Sequence, residues 1–461
     1  MSRATAELPL PLALLTVILI SSPFPSAQTG TAGGLSRGEW IDYAGDAYGM
    51  KYSPLALITP QNVGQLEVAW RWPSADQDLQ KSNPLLRASR YEDTPLMVNG
   101  VLYTATPLGL IAALDPATGH ARWVYDPKSY VAGRHGNAGF KTRGLAYWTD
   151  GSEERVLLGT NDAYLVSVDA KAGLPDPKFG VGGKVDITVG IRDARRAFNI
   201  SARRALIAGN IAVVASSILD PTTTKEAPPG YVHAFDVRSG TLLWTFHTVP
   251  RPGEFGSDTW LDNSAEYTGN TNVWAGMAYD PELDYLYLRT STPTNDWYGG
   301  HRPGDNLFAE SLVCVEAKTG KRVWHFQAVH HGLWDYDFPS HPTLGDVTVN
   351  GQRIKAVMQI SKQNWVYAFD RRTGRPLWPI EERLVEQSTV PGERTARTQP
   401  FPTKPASYDL QGATEENLID FTPELKKRAL AQLQTFKHGP LFTPPSEQGT
   451  LVVPGPLGGA N

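Results

Sequence analysis

Short apolar runs closed by polar turns recur along the chain in one register: an apolar strand ends on an acidic residue, a glycine stands four positions later, and a tryptophan four further on. The copies are Ala113-Leu114-Asp115 with Gly119 and Trp123, Ala234-Phe235-Asp236 with Gly240 and Trp244, Cys314-Val315-Glu316 with Gly320 and Trp324, and Ala368-Phe369-Asp370 with Gly374 and Trp378. A fifth, Ser167-Val168-Asp169 with Gly173, keeps the acid and the glycine, loses the tryptophan, and runs into a loop over residues 174–183. The pattern predicts a hairpin whose acid accepts backbone N–H bonds across the turn, whose glycine takes a positive φ, and whose tryptophan opens the next strand. One flat side chain at a fixed place in each unit is what packing between neighbouring sheets of a radial array requires. The acidic positions lie between 54 residues (Asp115 to Asp169) and 80 residues (Asp236 to Glu316) apart. That is longer than a bare four-stranded unit, so functional loops are expected on one face.

Outside the repeats, residues 63–72 read as a strand able to close a ring from its N-terminal side, and residues 422–437 have the spacing and charge of a surface helix within a long insertion. The chain ends on Pro454-Gly455-Pro456-Leu457-Gly458-Gly459-Ala460-Asn461, a Gly-rich turn with no strand after it, which leaves the expected ring open. The 43 glycines, 36 prolines and 13 tryptophans among 461 residues agree with many short strands joined by tight turns, an all-β class.

A net charge of -4 and the lack of any Lys/Arg run supply no stripe for phosphates, so nucleic acid is excluded as a partner. At the N-terminus, Arg3, an apolar stretch over residues 8–20 and the small residues that follow read as a signal peptide spanning residues 1–27, or as an uncleaved anchor. Either way the folded part is exported. Cys314 is the only cysteine, so any redox cofactor is held without thiols.

With Arg143-Gly144-Leu145-Ala146-Tyr147-Trp148, Asn272-Val273-Trp274 followed by Tyr279-Asp280-Pro281, and His330-His331-Gly332-Leu333-Trp334-Asp335-Tyr336-Asp337, the chain resembles the pyrroloquinoline quinone (PQQ)-dependent dehydrogenases, above all their glucose-dehydrogenase-like branch. The resemblance runs from about residue 38 to 461. It implies an eight-bladed β-propeller with the cofactor on its axis, of which this chain carries about the first five blades as an open, partial ring.

What the resemblance implies for the site follows residue by residue. Trp274 lies against the quinone face, and Arg143 pairs a cofactor carboxylate or carbonyl, for which a planar guanidinium suits. Glu92 hydrogen-bonds the cofactor, Ser217 touches it, and Lys362 bonds the quinone oxygens and stabilises charge growing there. Asp335 is the general base and also lies beside Ca²⁺, whose other ligands are Asp220 and an oxygen from Thr294 or Asn295. Asp337 shares a face with Asp335 if the segment is extended. His330 and His331, adjacent on a strand, would point to opposite sides and not to one ion.

The implied activity is oxidation of a sugar, polyol or other alcohol in the periplasm, with ubiquinone or a soluble cytochrome c as electron acceptor and an association with the membrane surface. Asn137-Ala138 stand where the methanol-oxidising branch has two adjacent cysteines, which weakens a methanol-specific reading. The rival readings are a non-catalytic propeller scaffold, which needs none of Arg143, Asp335 and Lys362, and an inactive fragment.

Overall fold

The structure, a computed structural model, describes residues 38–457 apart from 89, 135, 137, 138, 221 and 222. The signal-like residues 1–27, the Asn137-Ala138 pair and the final turn at 458–461 lie outside the described residues. Four antiparallel meanders of four strands follow one another. The first pairs Leu96–Val98, Val101–Ala105, Ile111–Leu114 and Ala121–Tyr125, and the second Ala146–Thr149, Glu154–Gly159, Tyr164–Asp169 and Lys184–Asp186. The third pairs Leu206–Ala208, Ile211–Val214, Val232–Asp236 and Leu242–Phe246, and the fourth Ala278–Asp280, Tyr285–Arg289, Ser311–Glu316 and Arg322–Gln327. A fifth sheet has three strands, Thr343–Val349, Gln352–Ile360 and Val366–Asp370.

In the second, third and fourth sheets the apolar strand residues are buried on both faces, because each of these sheets is covered by a sheet on either side. In Tyr164–Asp169, Leu165 enters the core shared with the third sheet while Val166 and Val168 enter the core shared with the first, as the two-residue period of a strand dictates. Further cores lie between the third and fourth sheets, with Val213 against Leu286, and between the fourth and fifth, with Leu312 against Val357. This serial, face-to-face stacking of meanders is the expected propeller architecture.

The acid-glycine turns form as the pattern predicts. Asp115 Oδ1 accepts from the backbone N–H of Ala117 at 3.1 Å and Thr118 at 3.0 Å, and Asp169 and Asp236 repeat the arrangement. Each repeat glycine, from Gly119 to Gly374, has a φ near 70° that favours glycine. The tryptophan of one sheet then seals the joint to the next. Trp123 Nε1 donates to Ala170 O at 3.1 Å, Trp244 to Ala317 O at 2.9 Å, and Trp324 to Arg371 O at 3.1 Å, in each case the carbonyl just after the next repeat's acid. A Cβ on Gly173 would stand 2.4 Å from the Trp123 ring, so only glycine admits the indole.

Where the fifth copy lost its tryptophan, Arg155 takes over. Its Nη1 donates to Val237 O at 2.6 Å and Arg238 O at 2.8 Å, again at the carbonyl after the acid, and Nη2 lies 2.7 Å from Asp176.

Residues 63–72 differ from expectation. They contain a short 3₁₀ turn, Val63–Gln65, and no strand, and Leu66 and Val68 are exposed, because a strand requires a partner's backbone groups and none is paired here. Trp70 alone behaves as a joint residue, donating to Pro116 O at 3.0 Å and covering Gly119. Trp378 also lies outside any strand. The expected helix is Pro423–Leu433, started by Thr422, whose hydroxyl accepts from Leu425 N at 3.2 Å. Among the described residues no helix is long and apolar enough to cross a membrane.

Candidate active site

In an up-and-down meander the entrance to the first strand and the exit from the second share one edge, and the turn between third and fourth lies at the other. The entrances carry Glu92, Arg143, Arg203 with Arg204, Trp274, and Asp335, Asp337, Pro339 and His341; the exits carry Ser217 with Asp220, Thr292 with Asp296, and Lys362. These side chains, drawn from all five sheets, line one cavity of about 680 Å³.

Of the residues singled out from sequence, Glu92, Arg143, Ser217, Asp220, Trp274, Asp335 and Lys362 meet in this cavity, whereas Thr294 and Asn295 are not among its lining residues. Ser217 is brought in by a side ribbon of the third sheet, Ile200–Ala202 paired with Ser216–Ile218, which also delivers Arg203. Lys362 stands in the turn between Gln352–Ile360 and Val366–Asp370.

The polar contacts form one network. Lys362 Nζ lies 2.9 Å from Asp335 Oδ2 and 2.8 Å from Asp337 Oδ1, and Trp274 Nε1 donates to Asp337 Oδ2 at 2.6 Å. The Arg143 guanidinium sits 4.6 Å from the Trp274 ring centroid and donates to Glu92 Oε2 at 2.7 Å. Asp220 accepts from Asn270 Nδ2. The segment around Asp335 is not extended: Asp335 has φ 53°, a left-handed conformation that costs about 1 kcal/mol or more outside glycine. The resulting bend still lets Asp335 and Asp337 reach the same ammonium. His330 faces Gln327 and Glu382 while His331 faces Gly304 O and Glu393, so the two rings serve separate partners.

Burial, and then the neighbouring Asp337, push the Asp335 carboxyl up, with Lys362 opposing. Burial raises Asp296 as well, and Asp220 and Asp335 add to it. Burial alone would lower Lys362, but Asp337 and Asp335 hold it above its ordinary value. The cluster is thus short of positive charge at the Asp220, Asp296 and Asp335 side.

Two buried guanidiniums near the same network lack a counter-charge. Arg203 and Arg289 are buried, with Arg203 Nε and Arg289 Nε and Nη2 unpartnered among the described residues, and burial draws each guanidinium down to about 9. Arg289 lies 4.7 Å from the Trp274 ring centroid.

These orphaned donors beside an aromatic ring fit a flat polycarboxylate, since a buried cation without a partner is costly and an anion removes the cost. For a hard cation the donor chemistry fits too, because Asp220, Asp296 and Asp335 supply oxygens and the buried Thr294 Oγ1 has no partner. Their spacing is wider than a coordination shell: among the described residues no three His, Cys, Asp or Glu side chains stand close enough to hold a metal ion.

Sequence reasoning missed Lys141, Arg203, Arg204, Asp296 and His341. The only local signal was their position next to the apolar run of a first strand or after a second.

Residues 40–461 match the family model described as PQQ glucose/ethanol/alcohol dehydrogenase, β-propeller domain. The chain is 34% identical over 443 residues to the quinoprotein glucose dehydrogenase of Escherichia coli (strain K12), covering 91% of this chain and 53% of that protein. It is 30% identical to the glycerol dehydrogenase large subunit of Gluconobacter oxydans (strain 621H), covering 92% and 58%. Among solved structures it resembles a quinohemoprotein alcohol dehydrogenase from Pseudomonas putida HK5, with TM-score 0.64 and 29% identity over 79% of this chain and 51% of that one. The chain spans about half the length of the curated relatives it matches.

Proposed function

We propose a function from the premise that this chain belongs to the PQQ-dependent glucose/ethanol/alcohol dehydrogenase β-propeller family. The axial cavity binds pyrroloquinoline quinone and Ca²⁺ and oxidises a sugar, polyol or other alcohol, with ubiquinone or a soluble cytochrome c as the final acceptor. When bound, the quinone supplies a two-electron acceptor and the ion a Lewis acid that polarises it.

Asp335 accepts the hydroxyl proton of the alcohol, which its place at the cavity wall beside Lys362 allows. Lys362 places a charge where negative charge develops during reduction. Trp274 gives the flat floor, Arg143, Glu92 and Ser217 grip the cofactor's polar edge, and Asp220, Asp335 and Thr294 or Asn295 hold the ion. Residues 1–27 direct the protein across the cytoplasmic membrane, so the reaction runs in the periplasm or at the membrane surface.

The observation that carries this reading is the single network in which Lys362 bridges Asp335 and Asp337 while the Trp274 indole is tied to Asp337. Base, cation and aromatic floor are thereby fixed relative to one another. The test is reconstitution with PQQ and Ca²⁺, binding read by tryptophan fluorescence and turnover by dye reduction on a panel of sugars, polyols and alcohols. Asp335→Asn is expected to keep binding and lose turnover roughly 10²–10⁴-fold. Unchanged turnover refutes the base assignment, and silence of the wild type on every substrate refutes the function.

A further inference from the structure

One buried carboxyl at the same edge takes no part in that scheme. Glu310 enters the strand Ser311–Glu316 and is fully buried, with Oε1 3.0 Å from Thr292 Oγ1. The same Thr292 oxygen lies 3.5 Å from Asp335 Oδ1. A hydroxyl has one proton to donate, so it cannot serve two ionised carboxylates.

We propose that Glu310 is a positioning residue for Asp335: held as a neutral acid, it donates its own proton to Thr292 Oγ1 and so commits the Thr292 hydroxyl to Asp335 Oδ1. The proposal rests on the reading of Asp335 as the base. With Oδ1 held by Thr292 and Oδ2 by Lys362, the Asp335 carboxylate is fixed in plane and facing the cavity.

Three observations support the neutral acid. Among the described residues Glu310 Oε2 is buried with no partner, a state an ionised carboxylate tolerates poorly. That oxygen is pressed against Gly332, where a Cβ would come within 1.6 Å, so the pocket is shaped around this carboxyl. The cation acting on Glu310, Arg302, donates instead to Thr294 O, Asn295 O, Gly332 O and Asn306 Oδ1.

Burial pushes the Glu310 carboxyl up to about 8; Thr292 and Arg302 oppose the shift, and Asp337 and Asp335 add to it. Glu310 is therefore mostly neutral at pH 7. Above pH 8 it ionises, reclaims the Thr292 proton, and leaves Asp335 without that donor.

The test uses the full chain. Infrared difference spectra between wild type and Glu310→Gln are expected to show a protonated-carboxyl band at pH 7 that belongs to Glu310 and fades as pH rises through about 8. The Asp335 carboxylate band, identified with Asp335→Asn, is expected to shift with the same midpoint in wild type and not in Glu310→Gln. Neither reading needs turnover, so both hold their meaning if the dehydrogenase assignment fails.

In the protein loaded with PQQ and Ca²⁺, turnover is expected to be up to about tenfold lower at pH 9 than at pH 7, since one unit above its pKa about a tenth of a group stays protonated. This alkaline limb disappears in Glu310→Gln and Thr292→Val and returns in Thr292→Ser, which keeps the hydroxyl. A missing carboxyl band, an Asp335 band that does not follow Glu310, or an alkaline limb that persists in Glu310→Gln overturns the proposal.

Discussion

The two edges of the stacked sheets are built from similar residues by opposite rules. At the edge of the acid-glycine turns the loops are short except after Asp169, and each joint ends with its polar groups paired: an indole or, once, a guanidinium meets the same carbonyl of the next sheet. At the other edge the loops are long and varied, and they leave Arg203, Arg289 and Thr294 with buried unpaired atoms and Asp335 in a left-handed conformation. The first edge spends its chemistry on stability. The second holds unmet charge for something that binds, which is the division expected between a scaffold and a site.

The sharpest way to break this contrast is at a joint. Trp324→Ala removes an indole that covers Gly374 and packs on Tyr287 and Phe369, and is expected to cost about 3–5 kcal/mol in urea unfolding. A loss below about 1 kcal/mol would mean that the joints are not what holds the sheets together. Next, Arg155→Met is expected to cost about 2–3 kcal/mol, because it strands Val237 O and Arg238 O and leaves the buried Asp176 without its cation.

A third test concerns Asp93, just behind the cavity wall, whose Oδ2 accepts from Thr104 and Ala105 while Oδ1 is buried and unpartnered. Burial pushes this carboxyl from 3.8 up to about 6. The folded state then binds the proton more tightly than the unfolded chain, so its stability falls as pH rises from about 4 to 6 and is regained on acidification. Relative to Asp93→Asn, wild type is expected to lose about 2 kcal/mol across that window, read from urea midpoints at a series of pH values.

The smallest effect has the opposite sign. Arg289→Met replaces a buried, partly unpaired cation by an apolar chain of similar length, and is expected to stabilise the cofactor-free protein by about 1 kcal/mol while weakening PQQ binding. Loss of stability as large as at the joints would erase the distinction between the two edges.

How much of each edge was legible follows from the range of the forces involved. The acid-glycine turns are set by hydrogen bonds between a side chain and the backbone two or three positions on, and by a φ that only glycine adopts freely, so five copies could be read from spacing alone. The helix at Pro423–Leu433 was legible from the spacing and charge of its own residues, a signal equally local. Residues 63–72 were misread because alternation makes a strand only when a partner supplies backbone groups, which no local pattern reveals.

At the site, Asp335, Trp274, Arg143 and Lys362 were legible through the motifs that carry them, and the structure places all four on one cavity. Asp296, Arg203 and Arg289 were not, since an isolated charge in sequence reads as solvated until its surroundings are known. Nor did the pattern announce Arg155 as the stand-in for a missing tryptophan, because its partner carbonyls lie more than 80 residues away.

The sequence by itself determined the repeating hairpin, the all-β class and the motifs that carry Arg143, Trp274 and Asp335. Only the tertiary structure decided which charges end up facing one another, and therefore which are paired in the joints and which wait in the cavity. The reason is that turn geometry is fixed within a few residues, whereas electrostatic partnership depends on how whole sheets are rotated against each other, a quantity that no short stretch of chain encodes.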